Sequence, residues 1–363
     1  MPFHINPYLF MLARPPHQIV WDYLNHTQFE LNIDYCQRLT QLINNPALLD
    51  KNHPIDRDFY NAKLFTDTPI APVEWQWDEL SKIFHIGTKN LPQEQIPHDV
   101  HEWSAQYLAH CQDVLATPAP SSSQRECLPE ELIRLPACMP PFEAQGSLVD
   151  SLVSRKTCRS FTEKNISLSH ISTLLYLSLG YLNERKDDVD PSLPKGLEAR
   201  RSSPSGGGLN ASEGFLYASR VDGLKPGIYA YHCALHALSH VSDLPPAPLG
   251  QLLSGQHFIN NLPAGLFITS RFDKLWWKYE HSRAYRMAFV EAGHISQTFQ
   301  LVATHLGLNT WLTGALTDDC VETLLGLDNT TEQPLFFVGC GYGDGRVQCE
   351  ALVALINAQE KNP

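Results

Sequence analysis

No stretch of the chain is apolar for the about 18 residues that a membrane helix needs. The start, MPFHINPYLFMLARPPHQIV, lacks the basic residues and apolar core of a secretory signal. None of the nine cysteines forms a Cys-x-x-Cys pair. Scattered cysteines without a secretion signal predict reduced thiols and a cytoplasmic protein. Positive charge is scarce too. Lys and Arg number 27 against 39 Asp and Glu, giving a net charge of −12 at pH 7. Such a surface has no footprint for nucleic-acid phosphates, although one basic pocket remains possible. Two phosphate-binding signatures are missing: no Gly-Lys-Ser/Thr loop and no G-x-G-x-x-G.

Histidine, by contrast, is abundant at sixteen residues. His232, His236 and His240 recur every four positions, as metal ligands on one helix face would. They lie in GIYAYHCALHALSHVSD, however, which follows a Pro-Gly turn and alternates like a strand or hairpin. On strands these side chains spread too far for one ion, so no metal site is predicted.

A chain of 363 residues suggests one large domain with an appendage, or two domains. The first 75 residues read as a mixed accessory segment. Helical spacing appears at Cys36, Leu39, Leu42 and Ile43, followed by a broken stretch around Asn52, Pro54 and Asp56. Residues 76–146 hold a short helix capped by Asp78, an amphipathic helix at 100–116 and a Pro- and Ser-rich linker. From 147 the pattern is regular. SLVDSLVSRKTCRSF predicts a helix ending in a basic cluster, and SLSHISTLLYLSLG a capped helix closed by Gly180. A charged loop spans Asn183 to Gly196. Strands are predicted at GIYAYH, GLFITS and PLFFVGCGYG, with short helices near Leu249–Ser254 and at CVETLLGL. Ala288, Ala292, Ile295, Phe299, Val302 and Leu306 mark one long helix from about Tyr285 to Leu306. CEALVALINAQ closes the chain as a helix or a strand arm. The absence of clean βαβ alternation makes the fold class α+β.

Three segments carry chemistry. In SRKTCRSF, Arg155, Thr157 and Arg159 alternate, and two guanidiniums flanking a hydroxyl suit an oxyanion. The alternative is a solvated basic helix end. In PSGGGLNASE, Pro204, Ser205, Gly206 and Gly207 lead a glycine run whose bare backbone can approach a ligand, or simply form a surface loop. In VGCGYGDGR, a strand delivers Gly341 and then Arg346, as part of a site or as a turn. Together they describe an extended anionic ligand held by cations at one end and by backbone elsewhere.

A fourth segment, KLWWKYEHSRAYRMAFVEAGH, places Lys278 and Tyr279 after two tryptophans. Lys278 either snorkels from an aromatic edge or sits desolvated with a lowered pKa, free to act as a base.

In order and character these segments resemble the nitroreductase superfamily, and more specifically its SagB-type branch of azoline dehydrogenases. Arg155, Thr157, Arg159 and Phe161 resemble the family's R-x-[ST]-x-R-x-F. Arg200, Arg201, Pro204, Ser205, Gly206, Gly207 and Glu213 resemble RR-x-x-PS-[AG]-G-x-x-x-x-E, although GLNASE departs from the usual approach to the glutamate. KYEHSRAYRMAFVEAGH resembles K-Y-x-x-R-x-YR-x-x-x-x-E-[AT]-G, with the arginine after the Lys-Tyr pair shifted to Arg283. The likeness spans about Leu148 to Arg346, and SKIFHIGTK resembles a segment that many members carry upstream.

The resemblance implies a nitroreductase-like fold: a mixed or antiparallel sheet flanked by helices, with a long central helix and here an N-terminal extension. It implies FMN at the interface of a homodimer. It implies oxidation of thiazoline or oxazoline rings in a modified peptide, beside a cyclodehydratase partner, with molecular oxygen reoxidising the flavin. Lys278 and Tyr279 are implied to be catalytic, and Gly314 and Ala315 to present backbone N–H groups near flavin N5. Trp311 either stacks near that site or fills core, and Glu291 is either structural or catalytic. Two other readings stand beside this one: an NAD(P)H-dependent nitro- or quinone reductase, and a non-catalytic scaffold.

Overall fold

The computed structural model describes residues 3–87, 89, 96–116, 147–182, 185, 199–279, 284–327 and 331–360. The proline-rich linker, most of the charged loop and Arg283 lie outside these residues. The chain forms two compact units. One is Met1–Lys89 with Trp276–Tyr285, and the other is Asn90–Leu275 with Arg286–Pro363.

The first unit is more regular than its sequence suggests. β1 (His4–Ile5) pairs antiparallel with β5 (Phe65–Thr66). β2 (Leu9–Arg14), β3 (His17–Asp22) and β4 (Thr27–Leu31) form an antiparallel meander in that order. The buried Asp22 carboxylate organises the β3–β4 turn. It accepts the N–H groups of Leu24 at 3.1 Å and Asn25 at 3.0 Å, and the side-chain amides of Asn6 and Asn25 at 2.8 Å. α1 (Ile33–Asn44) starts at Asn32, whose side chain accepts from the N–H groups of Asp34 and Tyr35. The stretch expected to be broken is the helix α2 (Pro54–Asn61). Proline at a first helical position gives up an N–H that has no partner there anyway. Val20, Leu31, Leu39, Leu42, Phe59, Leu64 and Phe65 make the core. α3 (Glu79–Gly87) is capped as predicted: Asp78 Oδ1 accepts from Ser81 N at 3.0 Å.

The second unit contains α4 (Val100–Ala116), α5 (Leu148–Ser154) and α6 (Leu168–Leu179) before its sheet. The strands are β6 (Ser212–Ala218), β7 (Gly227–His232), β8 (Ala237–Ser242), β9 (Ala264–Arg271), β10 (Asn309–Thr313) and β11 (Glu332–Gly341). They lie in the order β10-β11-β9-β6-β7-β8, every pair antiparallel. The helices between the strands are α7 (Leu249–Leu252), α8 (Phe272–Lys278), α9 (Ala284–His305) and α10 (Asp318–Leu325), of which the end of α8 and the first two residues of α9 count with the first unit, and α11 (Glu350–Glu360) closes the chain. The fold is α+β with a nitroreductase-like sheet and a long helix, α9.

Strand alternation divides the side chains of the sheet. Phe215, Tyr217, Phe267 and Phe337 pack with Leu252, Leu262, Trp311 and Val321 in one apolar cluster. The Phe267 and Phe337 ring centroids are 4.7 Å apart. Along α9, Ala288, Ala292, Ile295, Phe299 and Ala303 are buried, one apolar stripe at helical spacing. The histidine segment is the β7–β8 hairpin. His232 bonds Ser239, and His236 bonds Ser172 and Tyr231.

Candidate functional site

The basic motif is a helix end followed by extended chain, not the continuous helix its sequence suggests. Ser147 and Asp150 form a reciprocal capping box that starts α5, and the helix stops at Arg155. The extended chain beyond is tied to β10 and to the segment that follows β11. Cys158 N–H donates to Thr310 O at 2.9 Å, Arg159 N–H to Arg346 O at 2.9 Å, and Thr162 N–H to Tyr342 O at 2.8 Å. Alternation then buries Cys158 and leaves Arg155, Thr157 and Arg159 half-exposed.

These bonds join the first and third motifs into one cradle, and glycine makes the approach possible. A Cβ on Gly343 would lie 2.5 Å from Ser160 O and 2.7 Å from Cys158 Sγ. Its N–H donates to Asn309 Oδ1 at 3.1 Å. A Cβ on Gly341 would collide with Pro263 at 2.7 Å and Phe161 at 3.0 Å. Asp344, which the sequence gives no reason to single out, braces the turn. Its carboxylate accepts from Arg346 N–H at 2.9 Å and Ser160 Oγ at 3.1 Å, and pairs with Arg346 Nε at 2.9 Å. The Arg346 N–H bond is the main reason its pKa falls below the usual carboxylate range. Arg159 Nη1 donates to Val347 O. Arg155, Thr157, Arg159 and Arg346 thus share one edge of the sheet, where glycine backbone leaves room, and this donor set fits the phosphate end of an extended ligand.

The second motif lies elsewhere. Ser205 Oγ accepts from Asn210 N–H at 2.8 Å, and Gly207 takes a left-handed φ of 62° within the turn Gly206–Gly208. This loop feeds the start of β6, where Ser212 pairs with Ser270. The other end of β6, Ala218, pairs with Ala264, which in turn pairs with Cys340 beside Gly341. Pro204–Gly207 and the arginine cradle are therefore at opposite ends of the strands. The eight residues of β9 separate them by about 25 Å at ~3.3 Å per residue. One chain does not bring all the predicted cofactor residues together.

Gly314 and Ala315 follow β10, whose last residue, Thr313, pairs with Phe337 midway along β11. Ala315 N–H is turned onto Thr313 Oγ1 at 3.0 Å, while Gly314 is exposed. Trp311 resolves as core. It is 2 % exposed and meets Phe258 edge-on at 5.6 Å.

Lys278 ends α8, and its side chain lies outside the described residues. Tyr279 is half-buried, and its carbonyl accepts from the Trp77 indole N–H at 3.2 Å. Around Trp77 the first unit gathers aromatic rings: Trp276 at 5.6 Å, Tyr285 at 5.8 Å and Trp75 at 5.8 Å. Tyr285 OH bonds His85 Nδ1 from α3. The upstream segment and the Lys-Tyr segment are thus partners in one unit, although nearly 200 residues separate them.

The remaining motif residues make contacts within the second unit. The buried Glu291 accepts from Ser212 N–H at 3.0 Å, joining α9 to the start of β6. Arg201 is 3 % exposed and donates to Ser212 O at 2.8 Å and Cys233 Sγ at 3.2 Å. Burial pushes the Cys233 thiol pKa up despite this guanidinium. Glu213 binds Lys274 at 2.9 Å.

Among known proteins, the chain is similar to the trifolitoxin operon protein TfxC of Rhizobium leguminosarum bv. trifolii. They are 23 % identical over 274 residues, 71 % of this chain and 70 % of that protein. It is 32 % identical over 150 residues to the Escherichia coli microcin B17-processing protein McbC, covering 40 % of this chain and 55 % of McbC. A solved structure of the E. coli microcin synthetase McbBCD complex with truncated pro-MccB17 bound contains a chain that matches with a TM-score of 0.42 and 24 % identity, over 69 % of this chain and 97 % of that one. Among the described residues no helix is long and apolar enough to cross a membrane. The model of the Nitroreductase family matches residues 152–342, and the chain belongs to this family of oxidoreductases.

Proposed function

We propose that the protein is an FMN-dependent azoline dehydrogenase that converts thiazoline or oxazoline rings of a peptide to azoles. The observation that carries the reading is the Lys278–Tyr279 pair within the stretch that matches the Nitroreductase family, in a chain similar to proteins named for microcin B17 processing and the trifolitoxin operon. Bound FMN supplies a hydride acceptor, which molecular oxygen later regenerates. Arg155, Thr157, Arg159 and Arg346 would hold its phosphate, Gly341 would admit it to bare backbone, and Gly314 and Ala315 would flank its ring system. Lys278, as a neutral amine, takes the proton from the azoline Cα, and Tyr279 orients the amine or relays that proton. Two hydrogens leave the ring, one as this proton and one as hydride.

The separation of Pro204–Gly207 from the arginine cradle favours a homodimer in which each site takes one motif from each chain. Exposed apolar residues give such an interface material: Leu148, Leu152 and Val153 on α5, and Met287, Phe289 and Val290 on α9. Residues 1–75 are proposed as an accessory peptide- or partner-binding segment, residues 76–146 as a helical segment and linker, and 147–363 as the FMN domain. A cyclodehydratase that makes the azoline is the natural partner, in the cytoplasm.

The test is the absorption spectrum of purified protein with and without NADPH. The account expects a yellow protein whose flavin is not rapidly bleached by NADPH. Rapid bleaching would favour an NAD(P)H-dependent nitro- or quinone reductase. A colourless protein that cannot be loaded with FMN would favour a scaffold.

A further inference from the structure

The stretch that matches the Nitroreductase family begins at residue 152, so α4 lies upstream of it. Even so, the start of α4 is fastened beside the arginine cradle at three points. Just before the helix, Pro97 O accepts the His257 Nε2–H at 3.0 Å. The buried Ser104 Oγ lies 3.8 Å from Sγ of the buried Cys349, which follows closely on Arg346. Next to Ser104 is Trp103, whose ring centroid is 4.7 Å from that of Phe258.

Trp103 belongs to a run of rings. Tyr107, one turn along α4, stacks on it with centroids 5.2 Å apart and planes 9° from parallel, as side chains on one helix face can. Phe258 meets the buried Trp311 edge-on at 5.6 Å. At the end of the run, Arg159 Cζ stands 5.8 Å from the Phe258 ring centroid, within reach of a cation–ring attraction. Tyr107, Trp103 and Phe258 therefore lead from the surface of α4 to a guanidinium of the cradle.

Arg159 differs from Arg346 in what holds it. Arg346 pairs with Asp344 at 2.9 Å. Among the described residues Arg159 has no carboxylate partner: one amino group donates to Val347 O, and the Phe258 ring lies beside it. Its charge is uncompensated there, and its other N–H groups are free to meet an anion. A guanidinium donates in its own plane, so whatever packs against it helps to set where those donors aim.

We propose that Trp103 is a positioning residue for the cofactor's phosphate: it holds the Phe258 ring in place, and Phe258 holds the Arg159 guanidinium ready to donate. The cofactor site then includes an element that precedes the family-matching stretch. The proposal rests on the flavin reading above. A long side chain held before its ligand arrives loses less freedom on binding, which raises affinity without a new contact. Trp103 acts through Phe258 and touches no ligand, so its effect is confined to ligands that carry a phosphate.

The experiment is fluorescence titration of the whole, flavin-free chain with FMN and with riboflavin, which lacks only the phosphate. Wild type should bind FMN more tightly than riboflavin. Trp103→Ala should weaken FMN binding about five-fold, the worth of one cation–ring contact, and leave riboflavin binding within about two-fold. Trp103→Phe keeps a ring against Phe258 and should recover most of the loss. In an Arg159→Gln background, Trp103→Ala should weaken FMN binding no further, because the two residues act through one series of contacts. Tyr107 is 40 % exposed, and Tyr107→Ala should shift FMN binding in the same direction by a smaller factor. That variant decides the matter even if Trp103→Ala folds poorly. Equal losses for FMN and riboflavin would make Trp103 a packing residue only and overturn the proposal. So would unchanged FMN binding by Trp103→Ala, or an undiminished further loss in the Arg159→Gln background. A wild-type chain that binds neither flavin, or both equally, is a different failure: it removes the flavin reading or its arginine cradle, and this proposal with it.

Discussion

Replacing Gly343 with alanine places a methyl carbon 2.5 Å from Ser160 O, where a relaxed carbon–oxygen contact needs about 3.3 Å. One strand must retreat by roughly 0.8 Å. The retreating partner is held by Arg159 N–H on Arg346 O at 2.9 Å and Thr162 N–H on Tyr342 O at 2.8 Å, so the movement lengthens the bonds that make the cradle. Inserting one methyl into a tightly packed site costs about 1–3 kcal/mol. If most of that strain is relieved by opening the cradle, flavin binding weakens about 5- to 150-fold, at ~1.4 kcal/mol per decade. The assay is quenching of FMN fluorescence on titration into apoprotein, with thermal unfolding run in parallel. Wild-type affinity within twofold, whether or not the unfolding temperature falls, would refute the claim that pairing of 157–162 with 342–347 builds the phosphate end.

Other consequences follow from single contacts. Glu291→Ala leaves the buried Ser212 N–H without its acceptor and should destabilise the second unit by about 1–3 kcal/mol in denaturant titration. Glu291→Gln keeps an acceptor and should cost less, and turnover per bound flavin should stay unchanged in both. Trp77→Phe removes the indole donor to Tyr279 O, worth about 1 kcal/mol, and should slow peptide oxidation several-fold at unchanged flavin content. Asp56 is fully buried and takes a two-pronged bond from Arg38 at 2.7 and 2.6 Å. Burial alone would raise its pKa, but Arg38 and the Asp50 N–H outweigh that and hold it below the usual value. The sign follows: this stability is complete above the unfolded carboxylate pKa of about 3.9 and is lost as pH falls through the lower folded value. Unfolding of the first unit followed from pH 6 to 2.5 should show that loss. Asp56→Asn should reduce the acid dependence and lower stability by roughly 3 kcal/mol at neutral pH.

Much of the second unit was legible because its elements keep strict periods. The stripe through Ala288, Ala292, Ile295 and Phe299 predicts α9 to within a residue at each end. The β7–β8 hairpin followed from its turn and alternation. The first unit was not legible. Met11, Leu12 and Trp21 are apolar yet exposed, which blurs the two-residue alternation of β2 and β3, and Pro54 reads as a breaker when it starts a helix. The motif SRKTCRSF shows a further limit: helical propensity carries on past Ser154, but the chain turns extended because Thr310 and Arg346 offer it carbonyl partners there. Such partners lie more than 140 residues away, and local spacing carries no trace of them. Sheet register is equally invisible, so the separation of Pro204–Gly207 from Arg155 emerged only with the pairing of β6, β9 and β11. The contact of Trp77 with Tyr279 is tertiary, and local spacing carries no signal of it.

The central claim is that Lys278 removes a ring proton while bound flavin accepts hydride. Its most direct test is mass spectrometry of a thiazoline-bearing peptide incubated with FMN-loaded protein, wild type and Lys278→Ala side by side. The account predicts a loss of about two mass units with wild type, and a rate at least 100-fold lower with the variant at equal flavin occupancy. An unchanged peptide with fully loaded wild-type protein would contradict the dehydrogenase assignment, and an equal rate with the variant would contradict the role given to Lys278.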